Sequence, residues 1–177
     1  MQLVDLIKTR QSDRKYKDAA VDRELIVKCL EAARLAPSAC NSQPWKFVVV
    51  DDAVVLPKMA EAAAGMGMNK WVNQAPVIVA VVLEKMNFTA RIGSVIKDKE
   101  YSLLDVGIAV EHFCLQAAEL GLGTCIMGWF NEKQVKKLLG IGNRRVPLLI
   151  SLGYPEGPTR VKARKKLDEM SCWNQYR

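Results

Sequence analysis

Three short runs of this chain carry residue types that bind and orient a small molecule. Arg10-Gln11-Ser12, followed by Arg14, stands near the start, and Lys162-Ala163-Arg164 stands near the end. Between them the chain reads Ala36-Pro37-Ser38-Ala39-Cys40-Asn41-Ser42-Gln43-Pro44-Trp45. Guanidinium and ammonium groups make charge-assisted hydrogen bonds to phosphate, so the two basic runs together suit a clamp on one phosphate. In the middle run two prolines restrict the backbone and remove two N–H donors. Ser38, Asn41, Ser42 and Gln43 can each donate and accept hydrogen bonds, which suits a flat, uncharged heterocycle with alternating carbonyls and ring nitrogens. Taken singly, the runs read as a helix-end charge cluster, a solvated basic patch and a rigid helix-to-strand connector. Their combination points to a phosphorylated heterocycle.

Other chemistries are poorly served. The five cysteines, Cys29, Cys40, Cys114, Cys125 and Cys172, form no C-x-x-C pair, and with the one histidine they argue against a zinc site. An odd cysteine count reads as reduced thiols, several of them in the core. His112 lies inside an apolar stretch and reads as a satisfied structural histidine, which leaves nucleophilic hydrolysis without its base. Gly121-Leu122-Gly123 lacks the third glycine of a dinucleotide-binding fingerprint and joins a helix to a strand rather than the reverse. The net charge of +7 favours anionic partners. The basic residues gather at Arg160, Lys162, Arg164, Lys165 and Lys166 without interleaved aromatics, so a small phosphorylated ligand is expected rather than nucleic acid. No apolar run is long enough to span a bilayer, and the first residues lack the basic and apolar regions of a signal peptide, so a cytoplasmic location is expected.

The elements that must position these groups follow from periodicity and punctuation. Leu3, Leu6 and Ile7 mark one face of a short first helix. Asp22 is placed to cap a second helix with Leu25, Ile26, Cys29, Leu30 and Ala33 as its buried stripe, ending near Leu35 because Pro37 follows. Strands are expected over Trp45 to Val50, Pro76 to Leu83, Gly123 to Met127 and Val146 to Leu152, the second of them central. Further helices are expected over Ala53 to Ala64, Tyr101 to Leu120 and Glu132 to Leu139. The helix from Tyr101 is apolar nearly all round and should be the buried backbone of the domain. Glu84 to Asp98 shows no clear period and reads as loop or irregular helix. About four strands and five helices, with no internal repeat or linker, make a single domain over residues 1–177. Leu167, Met170, Cys172, Trp173 and Tyr176 make the tail too apolar for a free solvated end, so a second copy of the chain is the natural cover.

The sequence resembles the FMN-dependent nitroreductase family over nearly its whole length. The resemblance rests on Arg10-x-Ser12-x-Arg14, on Ala36-Pro37-Ser38-x-x-Asn41-x-Gln43-Pro44-Trp45, and on the stretch from Asp105-x-Gly107-x-Ala109 through Gly121-Leu122-Gly123-Thr124. Gly128-Trp129, Leu152-Gly153-Tyr154-Pro155 and Lys162-x-Arg164-Lys165 complete it. It implies an α+β fold with a mixed, mainly antiparallel sheet flanked by helices, in an intertwined homodimer with FMN at the interface. By the same resemblance, Arg10, Ser12, Arg14, Lys162 and Arg164 surround the ribityl phosphate, and Gln11 reaches the polar edge of the ring. Pro37, Ser38, Ala39, Asn41 and Gln43 line the ring or ribityl chain, some from the partner, with Asn69 at the pyrimidine edge. Met127, Gly128 and Trp129 lie close to the flavin, the Gly128 N–H near N5.

In flavin enzymes the cofactor carries the redox chemistry, so no catalytic side chain and no metal ligand is expected. The expected activity takes a hydride from NADH or NADPH and passes reducing equivalents to a small acceptor such as a nitroaromatic or quinone, in a ping-pong scheme over one flavin face. The alternatives are a flavin store or sensor without turnover, and another flavin reaction on the same scaffold: enoate reduction, dehalogenation or flavin breakdown. Cys40 departs from the family pattern and either contacts the ligands or fills space. The short chain leaves only 84–98 for the variable insertion that shapes the family's substrate pocket.

Overall fold

Strands that are apolar on both faces need cover on both, and that requirement sets the architecture. The computed structural model describes residues 2–176. Strands β1 (Trp45–Val50), β2 (Val77–Leu83), β3 (Gly123–Met127) and β4 (Leu148–Gly153) form one sheet in the order β1-β2-β4-β3, every neighbouring pair antiparallel. The mixed character expected from the sequence is confined to an isolated parallel bridge between Ser12 and Thr124 beside β3. Alternation along β2 assigns its two faces. Val77, Val79 and Val81, with Ile150 and Leu152, meet Ile26, Cys29, Ala33, Val106, Val110 and Phe113 of helices α2 (Arg23–Arg34) and α5 (Tyr101–Glu119). Ile78, Ala80 and Val82, with Leu149, meet Met59, Ala63 and Val135 of α3 (Val55–Ala63) and α6 (Glu132–Leu139). The result is three layers, helix–sheet–helix, with β1 and β3 as the open edges.

Helix ends follow their caps. The Asp22 carboxylate accepts from Glu24 N at 2.9 Å, and Asn131 Oδ1 accepts from Gln134 N at 3.1 Å. Gly140, at φ +63°, closes α6. The last strand opens at Leu148, two residues after the expected start, because the Val146 N–H is taken by Glu132 Oε1 at 2.8 Å instead of a ladder partner. The segment 84–98 holds a continuous helix, α4 (Phe88–Lys97), capped by Asn87 Oδ1, which accepts from Ala90 N at 2.9 Å.

The protein leaves several apolar surfaces uncovered. α5 buries Val106, Ala109, Val110 and Phe113 but exposes Leu104 and Ile108, so it is not enveloped by its own chain as its composition suggested. His112 lies with Nδ1 3.3 Å from Ala32 O. α1 (Leu3–Thr9) exposes Leu3, Val4 and Ile7. After Gly157 the tail runs in extended form to the short α7 (Leu167–Met170), exposing Val161, Leu167, Met170, Trp173 and Tyr176. Cys29, Cys114 and Cys125 are buried and Cys40 and Cys172 exposed. Burial pushes the Cys29 thiol up to about 12 and Cys114 to about 11, so both stay protonated at neutral pH. Among the described residues no helix is long and apolar enough to cross a membrane.

Candidate active site

Backbone pairing brings the two ends of the chain together at the β3 edge. Asp13 N donates to Thr124 O at 2.8 Å, Lys17 N to Tyr154 O at 2.9 Å and Glu156 N to Lys15 O at 3.0 Å. Residues 12–17 therefore lie between β3 and the chain leaving β4. Buried Tyr16 fixes this join: its hydroxyl donates to Asp13 O at 2.9 Å and lies 2.7 Å from Ser151 Oγ. Gly153 is required there, since a Cβ would stand 2.8 Å from the Tyr16 ring and 2.7 Å from Pro76.

From this join Arg10, Gln11, Ser12 and Arg14 face the tail residues Arg160, Lys162 and Arg164 across a cleft of about 340 Å³. All five residues expected at a phosphate are thus gathered in one place. Lys162 Nζ donates to Ile7 O, and Arg10 Nε lies 3.6 Å from Glu111 Oε1 on α5. The Lys162 ammonium is held below the ordinary lysine value by desolvation first and then by the nearby Arg10 and Arg164 charges, with Glu111 opposing. A gathering of like charges of this kind fits a multiply charged anion, whose binding removes the repulsion.

Gln11 and Arg160 form a strap across this cleft. Gln11 Oε1 accepts from Arg160 N at 2.9 Å and from Arg160 Nε at 3.3 Å, while Gln11 Nε2 donates to Asp13 Oδ1 at 2.8 Å. Arg160 Nη2 donates to Ser12 O at 2.5 Å. The Gln11 amide is therefore engaged within the cationic cleft, by Arg160 and Asp13. Arg160 is an additional cation of the cleft; the only sequence signal for it was its place in the basic tail.

The loop 36–44 is held elsewhere. Asp105 of α5, itself buried, accepts from Ala39 N at 3.1 Å and 3.2 Å through its two oxygens. Burial raises the Asp105 pKa above the ordinary carboxylate value, and the Ala39 N–H partly offsets this. Asn87, the cap of α4, donates through its N–H to Ser42 Oγ and through Nδ2 to Cys40 O, both at 2.8 Å. Inside the loop Ser38 Oγ accepts from Gln43 N at 2.9 Å, and Gln43 Nε2 donates to Asn41 Oδ1 at 3.0 Å. Cys40, Asn41 and Gln43 all have positive φ, +51°, +51° and +47°, a conformation costly for non-glycine residues and concentrated at functional sites. Cys40 and Pro37 are exposed, with Ser38 and Ala39 half-buried between them. Asp105 and Asn87 were not among the residues expected at the site; an isolated acid in an apolar helix and an asparagine before a helix were their signals.

The remaining candidates cluster at the far end of β3. Asn69 Nδ2 donates to Trp129 O at 2.7 Å and to Ala63 O at 3.2 Å, and Trp129 Nε1 donates to Gly65 O at 3.1 Å. Gly128 and Trp129 line a pocket of about 490 Å³ with Gly65, Met66, Asn131 and Gln134. Met127 precedes them in β3, and strand alternation turns its side chain into the core with Met59 and Val135.

Sheet geometry divides the set. The cationic cleft and the Gly128 pocket flank the same strand, β3. Met127 pairs with Leu149, Leu149 with Ala80 and Ala80 with Val48, so β1 lies three strand spacings, about 14 Å, from β3. The loop 36–44 precedes Trp45, at the end of β1 beyond that row. One chain therefore carries the cationic cleft and the Gly128 pocket along one edge and the polar loop at the other.

An antiparallel sheet covered on both faces, with its basic chain ends clasped at one edge, defines an α+β protein with a cationic cleft beside β3. Comparison with known proteins makes the class specific: the nitroreductase family model matches residues 7–154, and the chain belongs to the nitroreductase family. It is 34% identical over 160 residues, 88% of this chain and 78% of the relative, to a Methanothermobacter thermautotrophicus protein provisionally named NADH dehydrogenase/NAD(P)H nitroreductase. It is 27% identical over 180 residues, 88% of this chain and 90% of the relative, to an iodotyrosine deiodinase of Thermotoga neapolitana. The solved structure of an FMN-dependent nitroreductase from Clostridium difficile superposes with a TM-score of 0.81 at 28% identity, covering 98% of this chain and 100% of that one.

Proposed function

We propose that this chain is a homodimeric, cytoplasmic FMN-dependent oxidoreductase that passes reducing equivalents from NADH or NADPH to a small organic acceptor such as a nitroaromatic or quinone. The observation that carries the reading is the cleft in which Arg10, Arg14, Arg160, Lys162 and Arg164 converge with Ser12. Such a set fits the terminal phosphate of FMN: the cations neutralise it and the Ser12 hydroxyl can donate to it. β3 leads from that cleft to Gly128, Trp129 and Asn69, where the ring is held. FMN, when bound, supplies two-electron redox chemistry. The chain's own residues bind and orient it, and their donors stabilise negative charge at the pyrimidine side of the ring. Ser38, Asn41 and Gln43 of the partner's copy of the loop complete the pocket, because the loop of the same chain lies at the opposite sheet edge. Donor and acceptor then take turns in one pocket, a ping-pong scheme.

Purified protein is expected to be yellow, to release FMN on denaturation and to oxidise NADH or NADPH steadily when a quinone is added. A colourless protein that takes up no FMN overturns the proposal, and flavin without turnover makes the chain a store or sensor. Similarity to a deiodinase favours reductive dehalogenation as the second reading. Halide release from an iodinated phenol under the same donor separates it from nitro or quinone reduction.

A further inference from the structure

The loop 36–44 is held by two braces, and both come from elements remote in sequence. Asp105 of α5 accepts through both carboxylate oxygens from one group, Ala39 N, at 3.1 Å and 3.2 Å. The residue is 5% exposed, and among the described residues it takes part in no ion pair. An acid in the first turns of a helix ordinarily stays solvated and interacts with the helix dipole. Asp105 is buried instead and directs its oxygens at the loop, an arrangement that opposes the desolvation of a carboxyl group. Asn87, just before α4, supplies the second brace. Its N–H donates to Ser42 Oγ and its Nδ2 to Cys40 O, both at 2.8 Å.

The strained residues lie at or beside the braced positions. Cys40, Asn41 and Gln43 stand at φ +51°, +51° and +47°, and backbone of this kind persists only where its surroundings over-determine it. Ala36 and Pro44 are buried at the ends of the loop, while Asn41 and Gln43 are exposed, with Gln43 Nε2 donating to Asn41 Oδ1 at 3.0 Å. A connector from α2 to β1 needs neither a buried acid nor three strained residues. A turn held rigid with its amides outward is preorganised for a ligand, because the ordering is complete before binding. Resting on the reading of this loop as the partner's wall of the flavin site, we propose that Asp105 and Asn87 are positioning residues. Neither touches the flavin; together they hold Ser38, Asn41 and Gln43 in the conformation that receives the ring and ribityl chain. Their loss therefore acts on the part of the ligand that FMN and riboflavin share, not on the phosphate.

The test compares Asp105→Ala, Asp105→Asn and Asn87→Asp with the parent, after circular dichroism has shown which variants fold. Asp105→Asn keeps an oxygen that can accept from Ala39 N. Asn87→Asp keeps the oxygen that accepts from Ala90 N and caps α4, and removes the Nδ2 donor to Cys40 O. Apoprotein is titrated with FMN and with riboflavin, read by flavin fluorescence. Asp105→Ala and Asn87→Asp are expected to weaken both flavins by the same factor, about tenfold, equivalent to about 1.4 kcal/mol. Asp105→Asn is expected to stay close to the parent, a rescue that follows from the hydrogen bond to Ala39 and not from side-chain volume. Parental affinity for both flavins in folded Asp105→Ala or Asn87→Asp overturns the proposal. So does a loss confined to FMN, and so does a loss in Asp105→Asn as large as that in Asp105→Ala. If Asp105→Ala does not fold, Asn87→Asp and Asp105→Asn decide by the same criteria. The functional reading is separated by the parent itself. A parent that binds both flavins beside variants that match it refutes the positioning roles alone, whereas a parent that binds neither flavin refutes the flavin reading and the positioning roles with it.

Discussion

Gln11 carries no charge, yet it decides which charges reach the cleft. Its Oε1 accepts from Arg160 through two nitrogens, and its Nε2 is anchored on Asp13, so the exposed tail is drawn across Arg10 and Ser12. Hydrogen bonds of this kind contribute about 0.5–1.5 kcal/mol each. Gln11→Ala is therefore expected to weaken FMN about tenfold while leaving riboflavin, which lacks the phosphate, unaffected. Arg160→Gln should act in the same direction. Fluorescence titration of apoprotein with the two flavins decides: an equal loss for both means the strap does not act at the phosphate. The strap also shows what the sequence left unread. The tail offered Arg160, Lys162, Arg164, Lys165 and Lys166, and the cleft takes the first three. That choice depends on bonds from the tail to Gln11 and Ile7 O, partners about 150 positions away that no local pattern encodes. The inward side chain of Met127, by contrast, was legible in the two-residue period of β3.

At the scale of elements, most boundaries were legible because each end carries its own chemistry. Pro44 before β1, Asn131 and Gly140 around α6 and Asp22 before α2 are local signals with local causes. α4 was less legible because its Phe88, Ile92 and Ile96 recur every four residues on an exposed row, so burial adds nothing to the pattern. The loop 36–44 reads as polar and proline-bound, but its strained backbone rests on Asn87 and Asp105, from elements far away in sequence. Asp105 makes that restraint testable by pH. Burial raises its pKa in the folded state, so between the ordinary value of 3.8 and the raised one the native protein keeps a proton that the unfolded chain releases. Ionising Asp105 therefore lowers stability as pH rises through that window, and full destabilisation remains above it. Asp105→Asn does not titrate, so the stability of the parent relative to this variant should fall as pH rises above 3.8. Urea unfolding across that range checks it; a difference that stays constant or rises with pH contradicts the assignment.

For the whole molecule, the sheet order β1-β2-β4-β3 fixes what one chain can and cannot assemble. The cationic cleft flanks β3 and the polar loop precedes β1, about 14 Å away across the sheet. Leu3, Val4 and Ile7 on α1, Leu104 and Ile108 on α5, and Trp173 and Tyr176 in the tail are exposed apolar side chains, which suits the proposed dimer. Under the proposed function a complete site takes its cleft from one protomer and its loop from the other. This arrangement predicts complementation. Arg10→Ala/Arg164→Ala disables the cleft, and Ser38→Ala/Asn41→Ala/Gln43→Ala disables the loop, so each homodimer should lose FMN. In a heterodimer of the two, isolated through different tags, one site collects both defects and the other collects none. The heterodimer should therefore bind one FMN with parental affinity, read from flavin absorbance per dimer. If cleft and loop instead came from the same chain, every site would keep one defect, and the mixed dimer would be as colourless as its parents.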